Sequence, residues 1–195
     1  MSIAGDDLPV QVTHIPGITR VRYTNSTKQD VRLVTAGEDH LVRLLPSEPT
    51  ATDVIPLVME DATQNISWIE ANNKYLVTAS EDGAVRLYQH ALQSEDDPQK
   101  ATSCIRIVRR EVLPVRCVSL ERATESPRAA ICSDELIIRV ASVEDPRQIT
   151  LLTGHTRGVR AASWSPILPL LVSCGSDGDI RVWDCLLYTS PSPRD

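Results

Sequence analysis

The stretch Leu171-Val-Ser-Cys-Gly-Ser-Asp-Gly-Asp-Ile-Arg-Val-Trp183 decides the fold, because three earlier stretches align with it without a gap. They are Leu33-Val-Thr-Ala-Gly-Glu-Asp-His-Leu-Val-Arg-Leu-Leu45, Leu76-Val-Thr-Ala-Ser-Glu-Asp-Gly-Ala-Val-Arg-Leu-Tyr88 and Ala129-Ala-Ile-Cys-Ser-Asp-Glu-Leu-Ile-Ile-Arg-Val-Ala141. Each time an acidic residue (Asp39, Asp82, Glu135, Asp177) precedes an arginine (Arg43, Arg86, Arg139, Arg181) by four positions. Successive acidic positions lie 43, 53 and 42 residues apart (39 to 82, 82 to 135, 135 to 177). A period of this size marks a repeat architecture, in which each unit buries its apolar face against its neighbours.

Within a unit, an apolar run leads into a turn and an alternating run leaves it, which predicts a β-hairpin. Asp82-Gly83 and Asp177-Gly178 suit two-residue turns, where positive φ is required and Gly carries no Cβ penalty. Further strands are expected upstream at Thr19–Tyr23, Asn65–Ile69, Val115–Leu120 and Val159–Trp164. Downstream ones are expected at Val54–Met59, Cys104–Val108 and Ile149–Leu152. Four strands per unit at this period predict an all-β fold built of β-propeller blades. The polar run Gln93-Ser-Glu-Asp-Asp-Pro-Gln-Lys100 accounts for the longer second interval and is expected as a solvated insertion in an outer loop. The chain divides into an N-terminal segment 1–13, four units at about 14–60, 61–110, 111–154 and 155–184, and a tail 185–195.

Composition narrows the function classes. The 195 residues carry 26 Asp+Glu against 20 Lys+Arg, a formal net charge of −6. Phosphate binding depends on clustered positive charge, so direct nucleic-acid binding is not expected of this segment. No apolar run approaches the roughly 18 residues of a membrane span, so no membrane partner is expected. The opening Met1-Ser-Ile-Ala-Gly-Asp-Asp7 lacks the basic and apolar regions of a signal peptide. With no Phe, three Trp and four Tyr, the core must come mainly from Val, Ile, Leu and Ala, and branched aliphatics suit strands. Cys104, Cys117, Cys132, Cys174 and Cys185 form no C-x-x-C pair, and four lie in apolar runs. They are expected as small buried thiols in a reducing compartment, rather than as disulfides or zinc ligands.

The fourth unit carries Gly154-His155, Trp164-Ser-Pro166, Asp177-Gly178 and Trp183-Asp184 in order, and in this it resembles the WD-repeat family. That resemblance implies a buried hydrogen-bond chain running through Asp177, His155, Ser173 and Trp183. Such a chain is physically sound: a buried carboxylate must be paired, and a His held by it can offer its other nitrogen to a hydroxyl. A catalytic-triad reading of the same Asp, His and Ser fails, because the Ser falls in an interior strand and no G-x-S-x-G is present. The first unit keeps His14, Thr35 and Asp39 but has Leu45 for the Trp. The second keeps Thr78 and Asp82, with Tyr88 for the Trp and Glu60 or Asp61 where Gly-His would fall. The third offers Glu111, Ile131, Glu135 and Ala141. These units are expected to rely on packing alone. The four repeated arginines are expected to cover blade surfaces with their stems rather than to form a phosphate-binding stripe. With no nucleophile–base pair, metal cluster or phosphate-cradling Gly loop, the sequence predicts no enzyme, no cofactor and no metal.

The tail Cys185-Leu-Leu-Tyr-Thr-Ser-Pro-Ser-Pro-Arg-Asp195 breaks the repeat pattern and resembles the in-frame translation of a transposase sequencing adapter. It is read as a library artefact. Leu8–Thr13 could supply a ring-closing strand, but WD-repeat rings close at about seven blades, so an interrupted propeller of about four blades is expected.

The series Pro114-Val-Arg-Cys-Val-Ser-Leu120, Ala129 to Val140, and Thr153-Gly-His-Thr-Arg-Gly-Val159 to Trp183 resembles the amino-terminal propeller of the chromosome transmission fidelity / acidic nucleoplasmic DNA-binding family. This resemblance implies a nuclear, non-catalytic replisome adaptor acting in DNA replication and sister-chromatid cohesion, with replisome or chromatin proteins as partners. It assigns no partner-binding residue to these positions. Another WD-repeat scaffold, a ubiquitin-ligase substrate receptor or a chromatin-assembly subunit, is the alternative. A propeller enzyme would need convergent acidic or His residues on the inner strands, where the sequence places apolar and small ones.

Overall fold

The computed structural model describes residues 15, 17–24, 32–46, 57–72, 74–89, 106–121, 126–145 and 147–185. The expectations for residues 1–13, His14, Gln93–Lys100, Cys104 and residues 186–195 lie outside these.

Four antiparallel meanders account for the described strands. Blade 1 holds β1 (Ile18–Thr24), β2 (Arg32–Gly37), β3 (Val42–Pro46) and β4 (Leu57–Met59). Blade 2 holds β5 (Ile66–Ala71), β6 (Tyr75–Ser80), β7 (Ala84–Gln89) and β8 (Arg106–Arg110). Blade 3 holds β9 (Val115–Leu120), β10 (Arg128–Ser133), β11 (Ile137–Ser142) and β12 (Ile149–Thr153). Blade 4 shows β13 (Val159–Trp164), β14 (Leu170–Gly175) and β15 (Ile180–Asp184). In every sheet, strands adjacent in sequence are adjacent in space, so no crossover is needed. Among the described residues the structure is all-β, built of four antiparallel blades.

The hairpin turns are longer than the two-residue form expected from Asp-Gly. Ser80 and Ala84 enclose three residues, and the Gly83 N–H donates to the Ser80 carbonyl at 3.1 Å. Gly83 takes φ +80° as the last turn residue, the type I turn plus left-handed residue that suits three-residue loops. Gly178 (φ +84°) plays the same part in blade 4, and His40 (φ +65°) holds the corresponding place in blade 1. The acidic residue just before is thereby left with its carboxylate facing back over the sheet end.

Packing runs from blade to blade, because each sheet has two apolar faces. Val34, Ala36, Val42 and Leu44 of blade 1 meet Ile66, Ile69 and Leu76 of blade 2. Val77, Ala79, Val85 and Leu87 of blade 2 meet Val118, Leu120 and Ile131 of blade 3. Ala130, Cys132, Ile138 and Val140 of blade 3 meet Val159, Trp164, Leu171 and Trp183 of blade 4. This is why β6 is buried at every position, as its largely apolar run predicts. Truncating one of these fully buried leucines to Ala should cost about 2–5 kcal/mol.

The innermost strands (β1, β5, β9, β13) are also stitched by hydrogen bonds that no periodicity announces. Each carries a bulge near its start, at Thr19, Ser67, Arg116 and Arg160. The Thr19 hydroxyl donates to the Ile66 carbonyl at 2.6 Å, and the Ser67 hydroxyl to the Val115 carbonyl at 2.5 Å. Further along, the Trp164 indole N–H donates to the Ser119 carbonyl at 3.1 Å. A bulge re-aims its side chain out of the ladder, and here it re-aims it at the neighbouring blade.

Candidate functional site: the turn end of the blades

In blade 4 the loop before β13 and the turn after β14 bring four side chains together. His155 Nδ1 lies 2.8 Å from Asp177 Oδ2, and its Nε2 lies 2.8 Å from Ser173 Oγ. The Trp183 indole N–H donates to the same Ser173 oxygen at 2.8 Å. An Nδ1–H tautomer satisfies all three contacts: the imidazole donates to the carboxylate, the serine hydroxyl donates to Nε2, and the indole donates to the serine oxygen. The N–H of Thr156, at 2.9 Å, is the main influence holding the Asp177 carboxyl well below the usual range. Burial opposes this, while His155 and the Asp179 N–H support it. His155, Ser173 and Trp183 are all buried, so the serine has no approach for a substrate.

Two glycines make room for this arrangement. A Cβ on Gly175 would stand 2.7 Å from Asp177 Oδ1 and 2.8 Å from His155 Nδ1. A Cβ on Gly154 would meet Arg181 Nη1 at 2.8 Å and Trp183 at 3.2 Å. The place of Gly175 is held by Gly37, Ser80 and Ser133 in the other units, and of these only the Gly37 unit has a histidine, His14, at the matching upstream position. That covariation within one chain is a readable signal that repeat alignment alone passes over.

The other blades do not rely on packing alone, which corrects the expectation. In blade 2 the register places Ala62, not Glu60 or Asp61, where His155 sits in blade 4, since each precedes its inner strand by the same interval. Arg86 substitutes for the missing ring. Its Nη2 is 2.6 Å from Asp82 Oδ2, and its Nη1 donates to Ser80 Oγ at 2.8 Å. Burial alone would raise the Asp82 pKa, but Arg86, the Ser80 hydroxyl and the N–H groups of Ala84 and Thr63 outweigh it and hold the carboxyl well below the usual range. Thr78, which matches Ser173, is left with a buried hydroxyl that has no partner. In blade 3, Glu111 takes the histidine place, and Arg139 Nη1 bridges Glu111 (3.1 Å) and Glu135 (2.6 Å). In blade 1, Arg43 reaches Asp39 at 2.7 Å.

The repeated arginines therefore each reach a carboxylate rather than only covering the blade surfaces with their stems. Arg86 is only 3% exposed. Arg181 differs from the other three: Asp177 belongs to His155, and Arg181 pairs with Asp179 at 2.9 Å. The acid-to-arginine spacing of four was visible in the sequence. Its meaning was not, because an i,i+4 pair across a turn faces inward only once the register is set.

A second set of charges joins the blades. Arg116 reaches Asp134 (2.7 Å) in its own blade and Glu81 (3.4 Å) in blade 2, while Arg160 of blade 4 reaches Asp134 at 3.3 Å. At the opposite end of the sheets, Arg128 forks onto the Glu121 carboxylate with two 2.8 Å bonds and stacks over Trp164 at 4.9 Å. Its third contact is the carbonyl of Cys185, at 3.2 Å. Among the cysteines, Cys117, Cys132 and Cys185 are buried, but Cys174 is exposed, against expectation. No group of three or more His, Cys, Asp and Glu among the described residues is placed to hold a metal ion.

Comparison with known proteins agrees with this geometry. The WD40 family, described as "WD domain, G-beta repeat", matches residues 61–89 and 146–184. Peroxisome biogenesis protein 7 of Arabidopsis thaliana is 29% identical over 40% of this chain and 24% of its own length. Striatin-4 of Homo sapiens is 31% identical over 56% of this chain and 16% of its own. WD repeat and HMG-box DNA-binding protein 1 of Xenopus laevis is 28% identical over 77% of this chain and 12% of its own. The chain thus spans about a quarter or less of the length of these relatives. Its blades have the WD40-repeat fold, that of a non-catalytic protein-interaction scaffold.

Proposed function

We propose that this chain is part of a nuclear adaptor that acts at the replication fork, in DNA replication and sister-chromatid cohesion. The observation that carries the reading is the extent of the similarity to WD repeat and HMG-box DNA-binding protein 1, 77% of the chain. A span of that share necessarily includes most of the third unit, whose strands β9, β10 and β11 lie between the two segments matching the WD40 family. General repeat grammar is weakest there, since Glu111, Ile131 and Ala141 replace the usual His, hydroxyl and Trp. The partners of the platform are replisome or chromatin proteins. Nucleic acid is not held by this segment directly, because Arg43, Arg86, Arg139 and Arg181 are occupied by carboxylates. The tetrad of His155, Ser173, Asp177 and Trp183 is structural, fastening the loop before β13 to its own sheet.

The rival is another WD-repeat scaffold, favoured by the 31% identity to Striatin-4. Chromatin fractionation and proximity labelling of the full-length protein through the cell cycle separate the two. The replisome reading expects chromatin association during S phase and labelling of the replicative helicase and priming polymerase. Cytoplasmic distribution throughout the cycle, with no labelling of either, would refute it.

A further inference from the structure

The loop before each inner strand and the turn after each second strand lie at one end of the blades. Three positions there can be followed from blade to blade. Three residues before the inner strand, blades 2 and 4 have Thr63 and Thr156. Two residues before it they have Gln64 and Arg157, and directly after the turn acid they have Gly83 and Gly178. Blade 3 fills all three with aliphatics: Val112, Leu113 and Leu136, exposed by 93%, 40% and 48%. Blade 1 has Ile15 at the first place and His40 at the third.

The contacts of blade 3 tie together the two segments that carry these aliphatics. Arg139 bridges Glu111, beside Val112, to Glu135, beside Leu136. The next loop lies against the same turn: a Cβ on Gly158 would meet the Asp134 carbonyl oxygen at 2.9 Å, and the Val159 N–H donates to the Glu135 carbonyl at 3.2 Å. Arg157, immediately before Gly158, therefore borders the patch. It is exposed and makes no ion pair with any described residue, whereas Arg116 and Arg160 are engaged by Glu81 and Asp134. The blade plan does not require aliphatics at these three places, since blade 2 fills them with Thr63, Gln64 and Gly83.

We propose that Val112, Leu113, Leu136 and Arg157 form a docking site for a short acidic segment of a partner protein. An aliphatic or aromatic side chain of that segment rests on Val112, Leu113 and Leu136, and a flanking carboxylate pairs with Arg157. This rests on the scaffold reading above and names the chemistry of one partner contact. Exposed apolar residues rimmed by polar ones mark interaction sites, and Arg is among the residues enriched at binding hot spots.

The test uses the 195-residue chain and fluorescein-labelled synthetic peptides in a fluorescence anisotropy titration. One peptide carries Leu and Phe anchors with Glu and Asp flanks, a second has Lys flanks, and a third has Ser in place of the anchors. Val112→Thr, Leu113→Gln and Leu136→Gly are combined in one variant, because those residues occupy the same places in blade 2. Arg157→Glu, on an exposed side chain, is the second variant. The acidic, anchored peptide is expected to bind saturably, and the triple variant to weaken it about tenfold by removing the apolar contact. Arg157→Glu is expected to turn the preference toward the Lys-flanked peptide. Unchanged binding by the triple variant, a wild-type preference for Lys flanks, or no saturable binding of any peptide overturns the proposal. So does self-association of the chain that the triple variant abolishes, which assigns the patch to a second copy. None of these failures alters the chromatin result for the full-length protein, which judges the scaffold reading independently.

Discussion

Arg86→Met separates a blade held by a buried ion pair from one held by apolar packing. Methionine keeps most of the volume and the flexible stem but removes the charge and the donors. Breaking a buried pair by deleting one partner costs about 3–5 kcal/mol when the other charge is stranded. Asp82 is not fully stranded here. It keeps the Ala84 N–H at 2.9 Å, the Thr63 N–H at 3.2 Å, the Thr63 hydroxyl at 3.0 Å and the Ser80 hydroxyl. The expected loss is therefore nearer about 2–3 kcal/mol. In urea denaturation followed by tryptophan fluorescence, this moves the midpoint down by about 1 M at a typical slope. Adding Asp82→Asn should recover part of the loss, because the uncompensated charge is then gone. Acid dependence gives a second readout. Asp82 has a folded pKa below its unfolded value of about 4, so its contribution is complete above that value and fades as the pH falls through the folded one. Without Arg86 the folded pKa rises, and acid unfolding should begin at a higher pH. An unchanged midpoint, or the same loss in the Asp82→Asn background, refutes the ion-pair account and restores packing as the sole support of blade 2.

Gly175→Ala should destabilise blade 4 by about 1–3 kcal/mol, because its Cβ overpacks two side chains fixed by hydrogen bonds; adding His155→Ala should relieve part of this in the same melts. Thr78→Val should stabilise the protein by about 1 kcal/mol, since it removes a buried hydroxyl without a partner from a strand where Val fits well. A loss of stability in the Val variant would show that the hydroxyl is satisfied in solution. His40→Gly should stabilise the protein by a modest amount, about 0.5–1 kcal/mol, by relieving the left-handed φ of +65°, and so raise the denaturation midpoint. Equal stability of the two forms would place the turn in another conformation.

The repeat was legible because apolar strands at a fixed period leave a pattern that survives the loss of individual motif residues. Val115–Leu120 and Val159–Trp164 appear as strands with the bounds read from sequence. The turns were read one residue short, since Asp-Gly suits both two- and three-residue loops and only the flanking register distinguishes them. Placement of the missing histidine in blade 2 also slipped by a residue. Ala62 carries no chemical signal, whereas the acidic neighbours Glu60 and Asp61 draw attention.

Sequence alone determined the four-unit plan and the all-β character, and it brought His155, Ser173, Asp177 and Trp183 to notice as a set. The plan and the β character follow from periodicity and residue type, which are local properties of the chain, while the set of four is what the resemblance to the WD-repeat family implies. Tertiary structure alone decided where each arginine spends its charge. Arg86 and Arg181 hold equivalent positions four residues after an aspartate, yet one is buried on Asp82 and the other turns to Asp179. The difference arises because a histidine from the loop before the inner strand reaches Asp177 in one blade, while an alanine leaves Asp82 to the arginine in the other. Competition for a single buried carboxylate is settled by whichever donor the packed loops bring within hydrogen-bond distance, and spacing along the chain cannot express that.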